Sequence, residues 1–517
     1  MLNQKKRLLF SLFWSLLLLW NSNALNSRSM AQTIPISLGT QRELFIDDFL
    51  IDQMTNVQLL VHEPVRQEIA AECDAPWEGS GCNYYSVLHD KQEGIYRMYY
   101  HAWSIPDGIN PGNTLTIGYR ESRDGIHWDR PNLGLCEFEG STENNIVLDK
   151  MGDGSGCHDF SPFIDENPNC PPEARYKATG ASIQCNLGVW AYQSPDGIHW
   201  TPVVNQPVFT EGQFDSQNVA FWSPTEKKYI LYYRVFSDGS AYKGIRQINR
   251  AVSDDFIHWT NEGTIQFPEG EGPTSLAQFY VNQIKPYERA PQLYIGFPTR
   301  YIDNGLTAST PLLPEWDLRQ KRMELGERLG TAVTDAVYIT SRDGKNFRQS
   351  NDVFLRPGLR TKDNWTYGDN YIARHVVETK STEDDSPNEL SIYATESYFT
   401  GNESKLRRYS LRMDGFASVH AKSLQGEMTT KPLTFSGKEL SLNVATSGSG
   451  TVKVEICEPD GTPIPGFSLD DCDLIYGDSL DRRVSWKGQT NVESLIGQTV
   501  ILRFVLREAD LYSLKFE

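Results

Sequence analysis

A short motif recurs five times along this chain, and no other feature of the sequence limits its fold as tightly. Ser122, Asp124, Gly125, His127 and Trp128 return as Ser194, Asp196, Gly197, His199 and Trp200, and again as Ser253, Asp255, Phe256, His258 and Trp259. Weaker copies follow at Ser341, Asp343, Gly344 and Phe347, and at Met413, Asp414, Gly415 and Phe416. Successive terminal aromatics stand 59 to 88 residues apart, enough chain for a four-stranded sheet with its loops. Five such units imply five blades of a β-propeller, an architecture that removes exposed sheet edges by radial repetition. The Asp-Gly step supplies the positive φ of a tight reversal, and the aromatic after it can wedge between neighbouring sheets. His127, His199 and His258 therefore belong to the repeat, not to a catalytic centre.

A strand pair precedes each motif, at residues 83–89 and 95–103, 160–164 and 175–183, 218–224 and 228–236, 279–285 and 292–299, and 371–378 and 390–398. Residues 43–51 and 57–62 come before the first complete unit and are the expected closing strands of the ring. Asp47 and Asp48, within the first of these, read as a turn of a peripheral hairpin. After the last motif, alternating or β-branched runs at 434–444, 451–457, 482–486 and 500–506, separated by Gly and Pro, suggest a β-sandwich. The expected fold is thus all-β: a leader at 1–31, a five-bladed β-propeller at 33–420 and a β-sandwich at 421–517. The connection is too short for a free tether, so the sandwich should pack on the propeller.

The formal net charge of −18 offers no basic stripe to a nucleic-acid backbone, which excludes DNA and RNA as expected partners. Residues 5–31 run from Lys5, Lys6 and Arg7 through an apolar stretch to a small-residue stretch, the order of a secretory signal peptide. The mature protein is expected to be exported to the periplasm or medium, with no membrane association once the leader is removed. All eight cysteines follow that leader, so disulfides are expected, Cys457 with Cys472 first and Cys73 with Cys82 next. No CxxC spacing occurs, and neither a metal nor a cofactor is expected.

The five Asp-Gly-aromatic units and the trailing β-segment resemble the five-bladed glycoside hydrolases of families 32, 43 and 68. That resemblance implies carbohydrate as substrate and three acids, one at the start of the innermost strand of each of the first three blades. Asp159 stands where those enzymes have an Asp that holds sugar hydroxyls and tunes the acid. Asp215 stands where they have a Glu acid, and blade one shows Asn83 in place of an Asp, with Glu78 the nearest carboxylate. Asp369, from blade five, is the candidate replacement across the axis. Hydrolysis of a glycosidic bond needs one protonated and one ionised carboxyl, so Asp159, Asp215 and Asp369 are the catalytic candidates. Each also reads as a cap before a β-run. Glu78, Asn83, His158, Asn218, Trp222, Arg300 and Asn370 are candidate substrate contacts, with Arg374, Trp77, Trp103 and Trp365 near the expected mouths. A carboxylate-catalysed exported hydrolase is the leading expectation. A non-catalytic glycan-binding propeller and a phosphorolytic relative of the five-bladed mannoside phosphorylases are the alternatives.

Overall fold

The computed structural model describes residues 34–103, 115–182, 188–239, 243–400 and 404–517. The expected leader and Cys185 lie outside the described residues. Five sheets repeat the same antiparallel order. Blade one is built from Asn83–Asp90, Ile95–Ala102, Thr116–Ser122 and Ile146–Leu148. Blade two uses Cys157–Ile164, Tyr176–Ser182, Val189–Ser194 and Thr201–Pro202, and blade three Val219–Ser223, Lys228–Phe236, Arg246–Ser253 and Trp259–Thr264. Inner strands pressed between neighbouring sheets are buried on both faces, as in Ile95–Ala102, where all eight residues are buried. This is why the sequence shows continuous apolar and aromatic runs there in place of an alternating pattern.

Blade four departs from the expected simple strand pair. Its innermost strand is split into Ala277–Phe279 and Lys285–Tyr287, and its second into Ala290–Gly296 and Thr299–Ile302. Gln283 breaks the first by adopting a left-handed conformation (φ 51°), and Pro298, which has no N–H for the ladder, interrupts the second. Two helices, Trp316–Leu325 and Arg328–Thr331, are inserted before the third strand, Val333–Ser341, which pairs with Phe347–Leu355.

Blade five consists of Val377–Thr379, Glu389–Glu396 and Lys405–Arg412, closed by Val65–Glu72 from the N-terminal side. Closure by an early strand was expected, but at 43–51 and 57–62. Those segments lie elsewhere: Glu43–Leu44 pairs with Ile501–Phe516, Ile51–Thr55 with Gly426–Thr430, and Val57–Val61 with Ala417–Ala421. The chain leaves blade five directly after its last turn, and the 57–61 strand follows residues 417–421 into the second sheet. Asp47 occupies a turn, bonding Phe49 N at 3.0 Å and Arg342 Nε at 3.0 Å.

The motif turns behave alike. Asp124 Oδ1 accepts from the backbone of Ile126 and His127 at 2.8 Å, and its Oδ2 meets His127 Nδ1 at 2.7 Å. Asp196 and Asp255 repeat this geometry with His199 and His258, and Asn346 takes the histidine's place beside Asp343. The three histidines are solvent-exposed caps of their own turns. Phe256, standing where the other turns have Gly, accepts φ 68°.

The C-terminal unit is an eight-stranded sheet centred on Ile501–Phe516, which pairs along most of its length with Leu440–Cys457. It encloses one core that includes Phe45, Met428, Leu442, Val454, Trp486 and Phe504. Asp414, from the fifth motif, joins this unit to the ring. It accepts from Tyr287 Oη (2.7 Å) and Ser513 Oγ (3.2 Å) and pairs with Arg289 (3.1 Å) and Arg42 (3.3 Å).

The disulfide expectation is corrected: among the described residues Cys73, Cys82, Cys136, Cys157, Cys170, Cys457 and Cys472 are free thiols. Cys457 lies in the sheet opposite Ile501, whereas Cys472 takes its position beside Val454, further along the same strand, accepting its N–H at 3.3 Å. Cys73 bonds to Tyr85 Oη at 3.1 Å, and burial pushes its thiol well above the ordinary range. No helix among the described residues is long and apolar enough to cross a membrane.

Candidate functional site

The innermost strands all begin at one end of the ring axis, and below that mouth the axis is filled. Gln217 Nε2 reaches from blade three to Ser86 Oγ (2.9 Å) and Tyr84 O (3.1 Å) of blade one. Gln283 Nε2 of blade four donates to Gln217 Oε1 (2.7 Å) and to Ile372 O (2.9 Å) of blade five. Arg374, from blade five, donates to Ser161 O (2.5 Å) and Oγ (2.8 Å) in blade two and to Ala220 O in blade three. It is 1 % exposed, and burial alone lowers its guanidinium to about 9. This plug knits all five blades and makes the mouth a closed cup. Arg374, considered from the sequence as a sugar grip, is therefore committed to backbone carbonyls.

The backbone around the ring axis is strained at three positions. Tyr84, Gln283 and Asn370 hold left-handed φ values of 50°, 51° and 59°. Non-glycine residues in this region cost on the order of 1 kcal/mol each and cluster where side chains must be aimed.

At the blade-two and blade-three starts the sequence candidates meet. His158 Nε2 lies 2.8 Å from Asp215 Oδ1, and Arg234 Nη2 lies 3.3 Å from Asp215 Oδ2. The Asp215 side chain keeps 21 % of its surface accessible, so it is ion-paired yet within reach of solvent. Asp159, one residue from His158, is fully buried. Its Oδ2 accepts from Asn218 N (2.9 Å) and Nδ2 (3.0 Å), while Oδ1 has no hydrogen-bond partner among the described residues. Burial pushes the Asp159 carboxyl up to about 7, against the downward pull of the Asn218 bonds. Asn218 spends its amide on Asp159, Phe214 O and Ser216 O, fixing the start of blade three.

Asn83 donates to Tyr398 Oη at 3.1 Å and lies 3.2 Å from His101 Nδ1. His101 stacks on Trp103 and Tyr84, and burial, with His158 nearby, holds it well below the usual histidine range. Trp103 thereby belongs to the cup wall.

The other candidates are placed apart. Asp369 accepts from Tyr398 N (3.0 Å), and burial raises it well above the ordinary carboxyl range. It faces a cleft on the flank of blades four and five, shared with Glu396 and Arg407. Asn370 is fixed to Thr334 O at 3.0 Å. Glu78 is buried under Arg120 (3.2 Å), Arg130 (2.9 Å) and Tyr100, an anchor for the loop before blade one. Arg300 forms a two-pronged pair with Asp335 directly across the ladder, at 2.7 and 2.6 Å. Trp222 lines a separate 310 Å³ pocket at the opposite end of the axis, with Lys285 and His375. Trp77 donates to Asn145 Oδ1 and Trp365 to Gly358 O, both as loop anchors.

Several wall residues were not found from sequence. Tyr84, Tyr280, Tyr301, Tyr367, Tyr371 and Tyr398 form one buried aromatic cluster around the cup. Arg234 lies 5.3 Å from the Tyr280 ring, Arg246 4.7 Å from Tyr301, and Arg328 5.3 Å from Tyr367. These side chains come from second and third strands and from the inserted helices, so no contiguous motif joins them. One signal was present: Arg234 interrupts the apolar strand Lys228–Phe236, and a charge in a doubly buried strand needs a partner. Among the described residues no group of three or more His, Cys, Asp or Glu is gathered to hold a metal ion.

No family model matches the chain, and no curated protein matches it. Solved structures to which it is similar include a fructofuranosidase from Schwanniomyces occidentalis complexed with fructosylnystose, at 12 % identity and TM-score 0.42, covering 93 % of this chain and 99 % of that one. An exo-inulinase from Aspergillus awamori aligns at 12 % identity and TM-score 0.37, over 89 % of this chain and 99 % of the other. A protein described as a glycoside hydrolase aligns at 11 % identity and TM-score 0.42, over 68 % of this chain and 92 % of the other. At these values the likenesses carry no argument about chemistry; the five-bladed fold rests on the strand pairing described above.

Proposed function

We propose that this protein is an exported glycan-active propeller that hydrolyses a glycosidic bond in the cup, with Asp215 as the reacting carboxyl. The observation that carries this reading is the His158–Asp215–Arg234 constellation at the blade-three start, walled by tyrosine rings and Trp103. Aromatic faces suit the apolar face of a sugar, and an ion-paired carboxylate within reach of solvent suits a base or nucleophile. Asp159, behind the wall, is the positioning group: its bonds from Asn218 set the backbone that carries Asp215. Product release from a panel of polysaccharides and aryl glycosides tests the reading, run with the mature protein beside Asp215→Asn. Loss of at least a hundredfold in the variant is expected, and equal product from both would remove Asp215 from the chemistry.

One observation favours the binding-only reading: Asn83 stands at the blade-one start and Asp159 is fully buried, so of the residues considered for catalysis only Asp215 is within reach of solvent. Saturable glycan binding without product from folded wild type would select it. Export is part of the proposal, and an intact N-terminus on the secreted or periplasmic protein would count against leader removal.

A further inference from the structure

The cup is cationic on a molecule whose net charge is −18. Arg234 and Arg246 are 3 % and 8 % exposed. None of the three Arg234 side-chain nitrogens makes a hydrogen bond among the described residues, and its ion pair there is the 3.3 Å contact with Asp215. Arg246 gives Nη1 to Gln278 Oε1 at 2.7 Å and leaves Nε without a partner. It lies between Tyr280 (5.1 Å) and Tyr301 (4.7 Å), and Arg328 stands exposed above Tyr367 at 5.3 Å. No carboxylate among the described residues lies within ion-pair distance of Arg246 or Arg328.

A buried guanidinium with unfilled donors is costly. A carboxylate or sulfate ester matches the planar fork and supplies the missing charge, whereas a neutral sugar hydroxyl supplies only an acceptor. The Tyr280, Tyr301 and Tyr367 rings pack against the three arginines and hold them together at one place. The acidic exterior repels polyanions at long range, but within a Debye length of about 8–10 Å the local arginines dominate.

We propose that the cup binds an anionic saccharide, its carboxylate or sulfate ester held by Arg234 and Arg246 with Arg328 at the rim. This rests on the glycan-active reading of the same site. The test is calorimetric titration of the full mature chain with matched pairs: oligogalacturonate against its carboxyl-reduced form, and a sulfated galactan oligosaccharide against its desulfated form. At least one charged member is expected to bind about tenfold or more tighter than its neutral partner, less so as salt rises. The pair that shows the preference identifies carboxylate or sulfate. Arg246→Gln should abolish the preference. Arg328→Gln, at an exposed position that does not threaten the fold, should reduce it roughly threefold or more. Equal binding within both pairs would overturn the anion proposal and leave the glycan-active reading standing. Preferential binding without product would retain it while removing hydrolysis, and no binding to any of the four would overturn the anion proposal and leave the glycan-active reading to the polysaccharide panel.

Discussion

At the scale of single residues, the cup is governed by a few buried ionisable groups whose states follow from burial. Asp159 has an ordinary carboxyl pKa of 3.8 and a folded one pushed up to about 7. The unfolded chain ionises first as pH rises, so the stability this residue contributes is complete below about pH 4 and is lost on the way to pH 7, by roughly 4 kcal/mol. Asp159→Asn keeps an acceptor for Asn218 N and removes the titration. Denaturant unfolding at pH 5 and pH 8 should therefore show a larger loss in wild type than in the variant, and parallel losses would contradict the assignment. His158, Asp159, Asp215 and Asn218 were legible from sequence because strand starts follow from the repeat. Arg234, Arg246 and the tyrosines were not, because they converge from separate strands. Asp369 lies apart from them because a strand start locates a backbone, not a side-chain direction: its carboxyl turns to the Tyr398 N–H and the outer cleft.

At the scale of elements, the repeat holds the ring through side chains outside the motif. Tyr99 Oη donates to Gly197 O at 2.7 Å and Tyr232 Oη to Gly344 O at 2.6 Å, each joining one blade's second strand to the next blade's turn; Tyr393 Oη reaches Gly125 O across the closure. The turn glycine thus serves both the reversal and the inter-blade bond through its carbonyl. Tyr99→Phe, Tyr232→Phe and Tyr393→Phe should each cost about 1–3 kcal/mol, since a buried carbonyl is left without its donor. A double variant at Tyr99 and Tyr232, which are in different interfaces, should be close to additive by chemical unfolding. The blades were legible because Asp-Gly turns and aromatic wedges have local signatures. The closing strand was not, because residues 51–61 and Val65–Glu72 are both β-compatible and only the departure of residues 417–421 decides between them.

At the scale of the whole molecule, ring and C-terminal unit share strands and charges. Residues 43–61 precede the propeller in sequence yet lie in the C-terminal sheet, and Asp414 is buried between Tyr287, Arg289, Arg42 and Ser513. Removing residues 421–517 would take Ser513 from Asp414 and the Ile501–Phe516 strand from residues 417–420, which would keep only Val57–Val61 as a neighbour. The truncated chain is expected to be insoluble, and full-length protein should melt in a single calorimetric transition. Two well-separated transitions would show that the units fold independently.

The central claim places function in the cup and at Asp215. Turnover of a cleaved glycan by Asp215→Asn and Asp369→Asn, each beside wild type and each checked for folding, tests it most directly. The account predicts at least a hundredfold loss for Asp215→Asn and near wild-type turnover for Asp369→Asn. Full activity in the Asp215 variant with loss in the Asp369 variant would move the site to the outer cleft and contradict it.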